Sequence, residues 1–136
     1  MMSNSADAAA TVTAGHITGI GGVLFKAKDP KALSAWYGEM LGLPLQPWGG
    51  AKLRYDAPNH PPAMAWNAFP SDTTHFAPST GDFMINYGVD DMDALLAKLR
   101  AKGVEILDQQ DDQMFGRFAW ILDPEGNKIE LWEPKR

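Results

Sequence analysis

A chain of 136 residues, 45% apolar and 21% charged, has the length and composition of one globular core, which excludes a disordered protein. A formal charge of −5 argues against a nucleic-acid partner, and no apolar run nears the roughly 20 residues that span a bilayer, so the chain reads as soluble with no membrane partner. Without cysteine, disulfides and thiolate chemistry are excluded, and a cytoplasmic location is compatible.

Met1 to Gly15 is small and polar, with no basic start and no apolar centre, and reads as a flexible tail rather than a secretion signal. Residues 16–136 read as a single domain. Residues 20–27 are apolar, β-branched and aromatic, a strand. Asp29-Pro30 then starts a helix with an N-cap carboxylate and proline at the first helical position. Leu33, Trp36, Tyr37, Met40 and Leu41 form its apolar face, which assigns Trp36 and Met40 to a core, and Gly42 ends it. Three strand candidates follow, near 43–47, 51–56 and 63–69. Residues 70–81, rich in proline, serine and threonine, read as a linker.

The second half repeats this order. Residues 82–88 read as a strand. Asp90 or Asp91 caps a helix whose face is Met92, Leu95, Leu96 and Leu99, and Gly103 terminates it. Strand candidates near 104–108, 115–122 and 127–133 follow, with Asp111-Asp112 in a loop. Asp123-Pro124-Glu125-Gly126 fits a type I turn between the last two. The echo is visible in the residues: Asp29, Ala32, Leu33 and Ala35 recur 62 positions later as Asp91, Ala94, Leu95 and Ala97. Val23 and Phe25 likewise map onto Ile85 and Tyr87, and Gly42-Leu43 maps onto Gly103-Val104. A long period occurring twice indicates a duplicated half-domain, not a solenoid. The expectation is an α+β fold of two tandem βαβββ modules, about 17–69 and 82–133, with cupped and mostly antiparallel sheets. Each helix would shield one face of its own sheet and leave the other to line a shared cavity.

The stretch Asp123-Pro124-Glu125-Gly126-Asn127-Lys128-Ile129-Glu130-Leu131 resembles the closing hairpin of the vicinal-oxygen-chelate superfamily, which includes glyoxalase I, extradiol dioxygenases and bleomycin-resistance proteins. Trp36-Tyr37 followed by Leu41-Gly42-Leu43 is similar to that family's first helix. The resemblance covers roughly residues 17–133 and implies a homodimer. In metal-dependent members it implies four ligands on four cavity strands, the last being Glu130. The other three positions fall on Gly22, on Met84 and within Ala65-Trp66-Asn67. Glycine has no donor, and a thioether is a soft ligand suited to copper(I). His16 stands about 20 Å from Gly22 along an extended chain. His60 lies in a proline-flanked loop and His75 in the linker, both reading as surface residues. No metal and no other cofactor is therefore expected.

Alternation along the strands extends the inner face from Gly22, Met84 and Glu130 to Leu24, Lys26, Asn86, Lys128 and Trp132. Phe118, Trp120 and Leu122 are further candidates, with Phe115 and Trp48 at the rim and Arg54 and Arg117 as polar contributors. Ligand pockets are commonly of this kind, mostly apolar with a few orienting polar groups. The expected ligand-binding set is thus Trp48, Arg54, Met84, Asn86, Phe115, Phe118, Trp120 and Trp132. Met84 is equally well explained as core packing. Glu130 has two readings, a structural ion pair with Lys128, Arg54 or Arg117, or a general acid–base group in an apolar cavity. Two functions follow. One is a metal-free protein that binds a small apolar or aromatic molecule in its sheet cavity. The alternative is a lyase, isomerase or other glyoxalase-type enzyme that uses Glu130 as acid–base or in an atypical metal site. A structural or regulatory module without a ligand stands beside both.

Overall fold

The structure is a computed structural model that describes residues 14–17 and 20–135. The tail expected over Met1 to Gly15 lies outside the described residues except for its last two. Helix α1 spans Pro30–Leu41. Asp29 caps it as the sequence indicates, its carboxylate accepting from Ala32 N at 3.0 Å. Gly42 closes it in the left-handed conformation at φ 70°, where a side chain would be strained.

Strand β1 is Ile85–Gly88 and helix α2 is Met92–Ala101. Asp91 caps α2, accepting from Ala94 N at 3.0 Å. Strands β2 (Asp108–Asp112), β3 (Gly116–Leu122) and β4 (Lys128–Pro134) complete the sheet. Its order is β1-β4-β3-β2, with β1 and β4 parallel and the other two pairings antiparallel.

Both helices cover the same face of this sheet. Leu33 and Tyr37 of α1 join Met92, Leu96 and Leu99 of α2 against Ala119, Ile121, Ile129 and Leu131. Tyr87 packs on the rim of that core. Full burial of each large apolar side chain stabilises by about 1.5–3 kcal/mol, so two helix stripes and one sheet face supply the core's driving force.

Three expectations are corrected here. The strands expected at 20–27, 43–47, 51–56 and 63–69 do not form among the described residues, apart from a single bridge between Leu45 and Ala51. Consequently α1 shields no sheet of its own and docks on that of the second half. A strand-forming side-chain pattern becomes a strand only where a neighbour accepts its backbone hydrogen bonds in register, and these segments, with Pro58, Pro61 and Pro62 between them, find no continuous partner among the described residues beyond that bridge. The strand expected near 104–108 also lies further on, at Asp108–Asp112, and includes Asp111 and Asp112, which had read as a loop. This is a sheet edge with its side chains mostly exposed, so no apolar alternation marks it, and its negative charges protect the open edge.

The Asp123-Pro124-Glu125-Gly126 turn fastens the two halves together. Gly126 N donates to Asp123 O at 3.0 Å, closing the turn. The buried Asp123 carboxylate accepts from Glu125 N, Asn127 N and Asn127 Nδ2, and from the Tyr37 hydroxyl of α1 at 2.8 Å. Glu125 reaches the start of α1, its two oxygens accepting from Lys28 N and Asp29 N at 2.7 and 2.9 Å. A carboxylate at that helix terminus also meets the positive end of the helix dipole.

Burial, reinforced by the hydrogen bond to Asp123, pushes the Tyr37 phenol far above its ordinary 10.0. Tyr87, whose ring lies 6.0 Å from that of Tyr37, is raised chiefly by burial. A raised folded-state pKa stabilises fully below the unfolded value and loses that contribution as pH climbs above it. Urea-denaturation stability is therefore expected to fall above about pH 10. Tyr37→Phe should flatten part of that fall, leaving the Tyr87 share. An alkaline profile identical in the variant would contradict this.

Candidate functional site

The sheet face turned away from the helices carries the site. Because Ile129 and Leu131 point into the core, Lys128, Glu130 and Trp132 point outward from β4. On β3 the buried Ala119 and Ile121 leave Phe118, Trp120 and Leu122 on that same outer face. Tyr87 faces the core, so Asn86 faces out from β1.

Pairing register then builds two rows. In one, Asn86 and Trp120 flank Glu130 across the three strands. Asn86 Nδ2 donates to Glu130 Oε2 at 2.7 Å, and Trp120 Nε1 donates to Glu130 Oε1 at 2.9 Å. In the other, Phe118 and Trp132 are direct cross-strand partners. Their rings lie 6.1 Å apart at 7°, and Phe118 lies 6.1 Å from Trp120 at 12°. Three aromatic rings thus stand parallel. The Trp132 indole is fixed by donation to Phe115 O at 2.8 Å.

His75 closes one end. It belongs to the segment that reads as a linker, yet it is half-buried, with Nε2 3.6 Å from Glu130 Oε1. Its ring stacks on Phe69 at 5.3 Å and meets Trp120 edge-on at 6.1 Å. Lys128 Nζ donates to His75 O at 2.7 Å and pins the segment to the sheet. The surface reading of His75 is therefore corrected. Its signal in the sequence was Phe69 and Phe76, two aromatics bracketing it in an otherwise polar stretch.

The structural ion pair with Lys128, Arg54 or Arg117, one of the two readings of Glu130, is not made. Arg54 pairs with Asp56 at 2.8 Å in an exposed turn, Arg117 pairs with Asp93 at 2.8 Å, and Lys128 serves His75. Each cation has a nearer acceptor. Trp48 lies outside this face, beside an apolar groove of about 690 Å³ formed with Pro30, Ala35 and Pro47. Met84 is half-buried just ahead of β1, and Phe115 sits at the β3 entrance. Leu24, which was to extend the inner wall, is 98% exposed, and Lys26 is also exposed, because their segment pairs with no strand among the described residues. The cavity expected between two sheets is accordingly, among the described residues, an open face of one sheet, roofed in part by residues 69–76.

The donor set does not fit a divalent metal. Among the described residues no three His, Asp or Glu side chains converge, and two of the groups around Glu130 present N–H donors to it. Zinc sites take three or four protein ligands, and Glu130 with His75 supplies two.

The family model described as "Glyoxalase-like domain" matches residues 22–132. The chain therefore belongs to the glyoxalase-like family of the vicinal-oxygen-chelate superfamily, whose fold the four-stranded, mostly antiparallel sheet matches. Three similar solved structures agree on the fold. A lactoylglutathione lyase from Agrobacterium tumefaciens is 19% identical with a TM-score of 0.56, covering 85% of this chain and 93% of its own. A glyoxylase/bleomycin resistance protein/dioxygenase domain from Frankia sp. EAN1pec is 17% identical with a TM-score of 0.55, covering 88% and 100%. TnmS3, an antibiotic binding protein from Streptomyces sp. CB03234, is 23% identical with a TM-score of 0.54, covering 88% and 100%. No curated protein matches the sequence. Among the described residues no helix is long and apolar enough to cross a membrane.

Proposed function

We propose that this chain binds a small, flat apolar or aromatic molecule on the Trp120–Phe118–Trp132 face, without the metal centre of its metal-dependent relatives. The parallel aromatic row supports the reading, since aromatic surface combines large apolar burial with preferred stacking geometries. Glu130 and Asn86 beside it supply orienting polar groups of the kind ligand sites carry. TnmS3, whose fold is similar, is an antibiotic binding protein. The same reading includes a homodimer, in which the exposed Leu24, Trp66 and Phe83 of this chain would be covered.

Titration of tryptophan emission with planar aromatic compounds tests it. Saturable quenching is expected. Trp132→Ala should weaken the binding about tenfold, the equivalent of losing one well-buried aromatic contact. Compounds that leave the emission untouched across the panel would refute the reading.

A second reading is favoured by the 3.6 Å approach of His75 to Glu130. A carboxylate that orients an imidazole is a common proton-transfer arrangement. On this reading the chain is a lyase or isomerase of the glyoxalase kind, with the pair moving a proton. Glu130→Gln would then abolish turnover while the far-ultraviolet circular dichroism stays unchanged.

A further inference from the structure

The chemistry of the ligand can be narrowed from the state of the Glu130 carboxylate, an inference that rests on the aromatic row being the binding surface. Glu130 Oε2 is engaged by Asn86 at 2.7 Å and Oε1 by Trp120 at 2.9 Å. A carboxylate offers about four acceptor positions, so capacity remains on both oxygens. His75 Nε2 at 3.6 Å is beyond hydrogen-bond length, so it uses none of the remaining acceptor capacity of Oε1. The side chain is 18% exposed, so a bound molecule reaches it while water is partly excluded.

Charge is as informative as geometry. The groups facing Glu130 are Asn86 from β1, Trp120 from β3 and His75 from the roofing segment, and of these only the imidazole titrates. Lys128, two residues before it on the same face, gives its ammonium to His75 O. Arg54 and Arg117 are held by Asp56 and Asp93. Among the described residues no lysine or arginine thus lies within ion-pair distance of the carboxylate, on a chain whose formal net charge is −5.

Two steps along β4, Trp132 presents its indole about 7 Å from the Glu130 position. A flat ring resting against Trp132 and Phe118 would bring a substituent on its edge to Oε1. An N⁺–H there gains a charge-assisted hydrogen bond, and the indoles attract the cation as well. An anionic substituent would meet the carboxylate and be repelled.

We infer that the ligand is a planar aromatic cation carrying at least one N–H, its ring on Trp132 and Phe118 and its N–H on Glu130 Oε1, taking the place that the His75 imidazole approaches. Three tricyclic probes of similar shape test this by calorimetry and tryptophan quenching: cationic 9-aminoacridine, neutral acridone and anionic anthracene-9-carboxylate. We expect 9-aminoacridine to bind on the order of tenfold more tightly than acridone, with the carboxylate weakest. Glu130→Gln should bring 9-aminoacridine down to the acridone affinity. Glu130→Asp, which keeps the charge but withdraws it, should narrow the gap. Equal affinity for the cation and acridone, or a gap that survives Glu130→Gln in folded protein, would overturn the inference and leave the aromatic-binding reading standing. Failure of all three probes to bind would overturn that reading, and the inference with it.

Discussion

Asp123→Ala is expected to lower unfolding free energy by about 3–5 kcal/mol, measured by urea denaturation at neutral pH. The carboxylate is 4% exposed and accepts from two backbone amides, the Asn127 amide and the Tyr37 hydroxyl. Alanine would strand all four donors, and the phenol, itself 6% exposed, has little water to turn to. A domain of this size has a total stability of about 5–15 kcal/mol, so the variant would be marginal at room temperature. Asp123→Asn keeps the shape but turns one acceptor into a donor facing other donors, and should lose part of that amount. The loss should couple to α1: in a double-mutant cycle Asp123→Ala and Tyr37→Phe should be strongly non-additive. Additive effects would mean that the turn and the helix are energetically separate.

Gly116→Ala is expected to cost about 3 kcal/mol or more and to disturb the aromatic face at the same time. Gly116 adopts φ +116°, a conformation side chains rarely take. A Cβ there would lie 2.2 Å from Glu133 O and 2.8 Å from Lys135 N. Both obstacles are backbone, so relief requires β3 and β4 to part where Gly116 pairs with Pro134. Phe115 O, which holds the Trp132 indole at 2.8 Å, is one residue away. The variant should therefore show a lower melting temperature together with an altered tryptophan emission maximum. A stable variant with unchanged emission would show that the hairpin accommodates the methyl group by a route this geometry does not provide.

Both positions bear on how far the sequence could be read. Asp123-Pro124-Glu125-Gly126 is legible as a turn because proline and glycine fix local dihedral angles, and local rules need no tertiary knowledge. That the same Asp123 and Glu125 clamp α1 from more than eighty residues away is not legible, since nothing in their spacing names Tyr37 or Lys28 as partners. The helices are readable for the same local reason: a capping aspartate, an apolar stripe and a glycine stop mark α1, and α2 shares the cap and the stripe. The edge strand Asp108–Asp112 is not, because a strand that buries neither face carries no alternation.

The site divides in the same way. Alternation from Glu130 along β4 places Trp132 on its face, Asn86 follows from the repeat, and Phe118 and Trp120 are candidates from the strand before the hairpin. Those residues do converge in the structure. Arg54 and Trp48 do not join them. Their positions depended on a first-half sheet that the described residues do not form, and each is occupied locally, by Asp56 or by the groove beside α1. His75 was missed because its role comes from a chain path across the sheet rather than from any periodicity.

By itself, the sequence determined the family, the two capped helices, the closing turn and the side of β4 that each residue faces, because caps, turns and alternation act within a few residues. Only the tertiary structure decided that both helices share one sheet face, that His75 meets Glu130, and that Arg54, Arg117 and Lys128 each bond to a group other than that carboxylate. Those outcomes depend on which groups compete for the same partner in space, and competition between distant residues leaves no mark on local spacing.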